Sequence, residues 1–198
     1  MAWFSDNFNA GTLDAQWIIG TATNGNVTAG ATFVTLTASD GNVDPWSDVE
    51  MLYQTPGGDF TSVAKFDGLG TVNVNYRAVG VVARVDDTHF VTMMKQNSAG
   101  EKLWREDNNG AGDIYSTGTA RTDATIYFKL ERAGSVFTSS WGTDGSTWIG
   151  TETSGGNTFY STSNSLKVGM FAARANAGTN FTINVDDWTV TGGTTFPS

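Results

Sequence analysis

The stretch Tyr127–Trp148, YFKLERAGSVFTSSWGTDGSTW, does most to limit what this chain can fold into. Ile126, Phe128 and Leu130 alternate with Tyr127, Lys129 and Glu131, the period of two expected of a strand with one buried and one wet face. A second run ends at Trp141, and Asp144-Gly145 follows. That pair suits a type I′ turn, in which both central residues need positive φ. A loop of those two residues alone sets Trp141 directly opposite Trp148. The expectation is a cross-strand tryptophan pair that pins the register.

Strand signals recur along the whole chain, near 2–8, 16–20, 26–28, 31–37, 48–54, 59–67, 75–85, 88–96, 101–106, 124–132, 135–141, 147–152, 165–174 and 180–191. No helical spacing is sustained anywhere. Val79–Val85 and His89–Lys95 flank Asp86-Asp87-Thr88, a further hairpin. With 24 Gly and only 3 Pro, the composition fits many short strands joined by tight turns. The Gly/Ser/Thr clusters are short and evenly spread, so no linker is visible. One domain over 1–191 is expected, with a flexible Gly/Thr-rich tail at 192–198. A chain of 198 residues suffices for one large all-β, two-sheet antiparallel sandwich.

Net charge is −9 and no basic cluster exceeds two residues, which argues against nucleic acid and anionic membrane as partners. The absence of cysteine excludes disulfides and thiolate metal sites. Apolar runs such as Val79–Ala83 are too short to span a bilayer. The opening MAWFSDNFNAG has no basic n-region, apolar core or cleavage site of a secretory leader. On this ground the chain is expected to begin at its own Met and to act on an extracellular surface, a virion rather than a secreted enzyme.

FSDNF followed by LDAQW, then FKLERAGSVFTSSWGTDGSTW, then VGMFAARANAGTNFTINVDDWTV, resemble the opening, middle and closing segments of concanavalin A-like jelly-roll domains. The likeness is to the laminin-G-like and β-xylosidase accessory sandwiches of that superfamily. The resemblance implies that the opening F-x-D-x-F segment and the closing D-D-W strand pair within one sheet. Its motifs are structural and speak to fold more than to function.

Glycosidases on this fold carry two carboxylates on one strand, commonly as Glu-x-Asp-x-x-Glu. The five glutamates, Glu50, Glu101, Glu106, Glu131 and Glu152, never fall in that spacing, so no catalytic residue and no enzyme activity are expected. His89, the sole histidine, reads as the start of a hairpin strand. Calcium is the one metal with a case. Asp40-Gly41-Asn42-Val43-Asp44 has alternating oxygen donors, although Pro45 stands where the turn glycine belongs and Met51 where the closing Glu does. The alternative joins Asp6 with Asp186 or Asp187, if the first and last segments are neighbours as the resemblance implies.

Aromatic residues are the better lead to function. Trp3, Trp17 and Trp188 are assigned to core or sheet edges, leaving Trp46 and Trp104 of the seven tryptophans. Trp104 shares its strand face with Lys102 and Glu106, opposite Leu103. Trp46 lies in a loop flanked by carboxylates, and Tyr115 follows the Asn/Gly/Asp-rich loop Asp107–Asp113. Exposed aromatic rings among hydrogen-bonding groups suit the C–H faces of sugars; equally, each could cover sheet surface or meet a neighbouring subunit. Two roles are expected of such a chain. One is a bacteriophage virion protein, a capsid decoration or tail-associated subunit touching coat or tail partners and able to bind glycans. The other is a carbohydrate-binding accessory domain of a secreted glycoside hydrolase.

Overall fold

In the computed structural model, alternation does place Ile126, Phe128 and Leu130 inward, each fully buried, while Tyr127, Lys129 and Glu131 are half-buried on the far side. The structure describes residues 4–20, 26–38, 50–55, 57–72, 77–86, 88–97, 101–109, 113–115, 119–153, 166–174 and 180–194, with residues 50, 71, 101, 102, 104–109, 113–115, 119, 152, 193 and 194 by their backbone alone. The architecture is a two-sheet antiparallel jelly-roll β-sandwich.

An eight-stranded sheet runs β1 (Ile18–Gly20), β4 (Glu50–Gln54), β14 (Lys167–Arg174), β6 (Arg77–Asp86), β7 (His89–Asn97), β8 (Glu101–Asn109) and β10 (Thr119–Ala120), with β9 (Asp113–Tyr115) also paired to β8. A seven-stranded sheet runs β13 (Ile149–Thr153), β12 (Val136–Gly142), β11 (Thr125–Ala133), β5 (Gly57–Asp67), β15 (Phe181–Thr194), β3 (Val34–Ala38) and β2 (Asn26–Ala29). The core between them takes Phe60, Phe66, Phe128 and Phe137 from the second sheet, and Leu52, Val81, Met93 and Met170 from the first. Phe66 and Phe128 meet edge to face at 5.4 Å, a favoured aromatic geometry.

The closing D-D-W sequence has a physical role. Phe181, Ile183 and Val185 point into the core, so strict alternation would turn Trp188 outward. A β-bulge intervenes: Val185 faces Phe66 and Asp187 faces Lys65, leaving Asp186 as the extra residue. The bulge resets the phase, Trp188 enters the core fully buried, and both aspartates stay outside. Asp6 then exchanges both backbone hydrogen bonds with Trp188, each 2.8 Å. Opening and closing segments therefore meet as expected, although this single bridge is the only ladder pairing of the described residues before β1.

Three expectations need correction. The β12–β13 connection is longer than two residues, and Trp141 faces Ile149 rather than Trp148. Only Gly145 has positive φ; Asp144 instead accepts the amides of Ser146 and Thr147 at 2.8 and 2.7 Å, tying a wider loop. Trp141 is buried in the core, where Arg121 lies 4.7 Å from its ring centre, whereas Trp148 sits under Lys129, which belongs to the outer face. Second, Asp107–Asp113 is not a plain loop: β8 runs to Asn109, and β9 folds back with Asp113 opposite Asn108. Third, β15 continues through Thr194, which pairs with Gly57, so the boundary expected at 191 falls inside a strand.

Candidate functional face

Register brings four of the sequence-derived residues together. Leu103 is buried in the inter-sheet core, so alternation puts Lys102, Trp104 and Glu106 of β8 on the opposite, outer face of the eight-stranded sheet. Their cross-strand partners on β7 are Gln96, Met94 and Thr92, and Tyr115 of β9 stands directly opposite Glu106. One transverse row thus reads Tyr53, Gly169, Val82, Thr92, Glu106, Tyr115 from β4 to β9. The adjacent row reads Gly20, Met51, Phe171, Gly80, Met94, Trp104. Trp104, Glu106 and Tyr115 occupy neighbouring positions at one end of these rows.

The middle of that face is not wet. Met51, Ala78, Val82, Phe90, Met94, Phe171 and Ala173 form a second buried apolar cluster there, separate from the core, with Tyr53 partly buried against it. This explains why β6 and β7 read as continuous apolar runs: they are buried on both faces. Gly80 and Gly169 leave two side-chain-free positions in the rows. A Cβ at Gly80 would stand 2.1 Å from the Met93 carbonyl oxygen, and one at Gly169 2.0 Å from that of Leu52. Only glycine permits these strand approaches. Tyr53, at the other end of its row, was overlooked in the sequence; it is half-buried, with Lys167 Nζ 5.4 Å from its ring centre. The alternation of β4 and β14 was the signal that could have found it.

The metal candidates are placed differently. Asp40, Asn42 and Asp44 lie outside the described residues, as does Trp46. Asp6 accepts the Phe8 amide on Oδ1 at 2.7 Å and the Trp17 indole on Oδ2 at 2.9 Å. Asp186 is bound by Lys65 Nζ at 2.5 Å, and the same ammonium lies 3.3 Å from Asp67. Those partners, Asp186 foremost, raise the Lys65 ammonium above the usual lysine range. Burial pushes the Asp187 carboxyl up, with the nearby charges of Asp186 and Asp6 adding to it against the Trp188 amide and Lys65. Among the described residues no three acidic or imidazole side chains converge as a metal cage. Asp6 and Asp186 hold the opening segment and the bulge instead. A shallow cavity of 220 Å³ beside Asp6 is lined by Phe4, Ser5, Ala10, Thr12 and Asp14.

His89 is where the sequence put it, at the start of a hairpin strand, with Nδ1 2.9 Å from Asp86 Oδ1. That carboxylate also accepts the Thr88 amide, and the local hydrogen bonds close the turn.

No family model matches the chain, and no curated protein matches it in sequence. Solved structures do. A mutant of the GH43 protein BlXynB from Bacillus licheniformis superposes with a TM-score of 0.81 at 13% identity, over 96% of this chain and 40% of its own. GH43B of a Bacteroides ovatus xyloglucan PUL gives 0.75 at 13%, again over 96% of this chain and 40% of that one. A functionally unknown protein from Saccharomyces cerevisiae gives 0.66 at 18%, covering 94% of this chain and 98% of its own. The chain spans about two fifths of the length of these GH43 proteins. None of the three names speaks of a virion, and the virion role expected from the sequence gains no support from them. At such identities the likeness shows a shared β-sandwich fold.

Proposed function

We propose that this chain is a non-catalytic carbohydrate-recognition module whose binding surface is the β8–β9 end of the eight-stranded sheet's outer face. The observation that carries the reading is the register: it collects Lys102, Trp104, Glu106 and Tyr115 on one face and in adjoining rows. Two aromatic residues beside a cation and a carboxylate supply what pyranose recognition needs, a stacking surface and directed hydrogen bonds. The absence of a paired-carboxylate strand motif supports binding without hydrolysis. The names of the structural neighbours speak of xylan and xyloglucan, so β-linked plant-wall polysaccharides are the ligand class to try.

The test is calorimetric titration of the chain with xylo-, xylogluco- and manno-oligosaccharides, repeated on Trp104→Ala. Saturable binding that is lost in the variant, with an unchanged circular dichroism spectrum and melting temperature, supports the assignment. Binding that survives in Trp104→Ala moves the site elsewhere, and silence with every oligosaccharide removes the carbohydrate reading.

A further inference from the structure

Among the described residues the two sheets end on one side in β1 and β2, and on the other in β13 and the short strands β9 and β10. β2 packs across from β4, the neighbour of β1, and β12 packs across from β7, so β1 and β2 close the same side of the sandwich. Both strands come from residues 15–39, the longest stretch of the chain without a charged residue, in a protein of net charge −9. A strand edge is an open template for pairing, and charged side chains are its usual guard. The opposite side has that guard in its sequence: β13 carries Glu152, β9 carries Asp113, and β8 beside them carries charges of both signs. The β1–β2 side has none.

Apolar surface reaches this unguarded side on both faces of β1. Ile18 and Ile19, 40% and 42% exposed, join Ile149 of β13 as the exposed large apolar side chains of the described residues. Direct cross-strand partners share a face. Ile19 is the partner of Leu52 and continues the inter-sheet core, while Ile18 is the partner of Tyr53 and continues the outer-face cluster. Each apolar layer runs to the edge of the sheet and stops in water. Among the described residues β1 pairs with β4 alone. In an antiparallel ladder successive residues aim their backbone groups to alternate sides, so either Ile19 or both Ile18 and Gly20 present N–H and C=O to the open edge. One further strand takes up those groups and covers both isoleucines at once.

We infer that the β1–β2 side is an interface and that its occupant is a second copy of this chain, with β1 antiparallel to its counterpart across a two-fold axis. Charge selects that occupant. Copies that each carry −9 repel one another, and this side lets them approach without setting like charges face to face. The edge also matches itself. Two-fold antiparallel pairing sets N–H against C=O in both directions and joins the two eight-stranded sheets into one, core to core and outer cluster to outer cluster. Pairing of this kind uses up the open edge of both copies, so assembly closes at the dimer. The dimer then displays a β8–β9 end at each extremity of one continuous face, and the inference holds whatever that end binds.

The experiment is sedimentation velocity of the full chain from micromolar to millimolar concentration. A species of 21.0 kDa should convert to one of twice that mass as concentration rises. Ile18→Lys and Ile19→Lys bring like charges together at the edge and should each weaken association about tenfold. Ile149→Lys, on the opposite side, should leave association unchanged. Ile18→Thr serves should a lysine variant melt early. A second measurement needs no variant: hydrogen exchange at the outward β1 amides should slow as the concentration of the unaltered chain rises. A chain that stays monomeric over the whole range overturns the inference and hands the edge to a different partner. Association that ignores both lysine substitutions, or that is lost in Ile149→Lys instead, also overturns it. Growth past the dimer overturns the two-fold pairing.

Discussion

The indole Nε1 of Trp17 donates to Oδ2 of Asp6 at 2.9 Å, while Oδ1 of that carboxylate accepts the amide of Phe8 at 2.7 Å. Trp17 in turn packs edge-on against Trp188 at 5.7 Å and against Phe4 at 5.4 Å. One carboxylate thus orients the aromatic group that seals the meeting of the chain's opening and closing segments. Asp6→Ala leaves a buried indole N–H without its acceptor and should destabilise the fold by about 2 kcal/mol. Asp6→Asn keeps an acceptor and should lose less. Urea denaturation of the two variants checks this; equal, negligible shifts in midpoint would count against it.

Trp141 and Trp148 should behave as independent residues. Trp141→Ala removes a core side chain and is expected to cost about 4 kcal/mol. Trp148→Ala loses mainly its contact with Lys129, about 1 kcal/mol. A double-mutant cycle should show additivity within about 0.5 kcal/mol. Strong coupling would restore the direct pairing that the register excludes.

Gly80 and Gly169 should tolerate no side chain. Gly169→Ala drives a methyl group into the Leu52 carbonyl and Gly80→Ala into that of Met93. Each is expected to cost about 3 kcal/mol or to abolish soluble expression. Gly70, with open space around its absent side chain, provides the contrast: Gly70→Ala should leave thermal unfolding unchanged within error.

The 143–148 loop should loosen in acid. The amides of Thr147 and Ser146 hold the Asp144 carboxyl well below the usual carboxylate range. Because the folded value is depressed, its contribution is complete above the ordinary value of 3.8 and is lost as pH falls from there toward the folded value. Amide chemical shifts of Ser146 and Thr147 should therefore move only at pH values well under 3.8, and Asp144→Ala should abolish that transition. The same titration persisting in the variant would assign it to another group.

Much of the fold was legible because a period of two leaves a mark that tertiary packing rarely erases. β11 and the β6–β7 hairpin could be read residue by residue. The β12–β13 connection could not, since Asp144-Gly145 fits both a tight turn and a wider loop tied by the aspartate side chain, and only the partner strand decides. Strand β9, which carries Tyr115, went unread because Asn and Gly mask short edge strands, and three residues have too little pattern to show. Alternation assigned Lys102, Trp104 and Glu106 to one face, but their meeting with Tyr115 depends on pairing between strands, which a linear pattern does not contain. The partners of Asp6 and Asp186 were hidden for a similar reason: Trp17 and Lys65, distant in sequence, take up their oxygens.

Strand β15 lies between β5 and β3, so among the described residues it is the only strand that links the β2–β3 pair to the rest of the seven-stranded sheet. It is also the last of the described strands in the chain. On a ribosome this sheet therefore stays in two pieces until β15 emerges, and β3 and β5 each wait with an unpaired edge. Until β15 is made, those two edges are open to mispairing, and that interval is when the nascent chain is most exposed to aggregation.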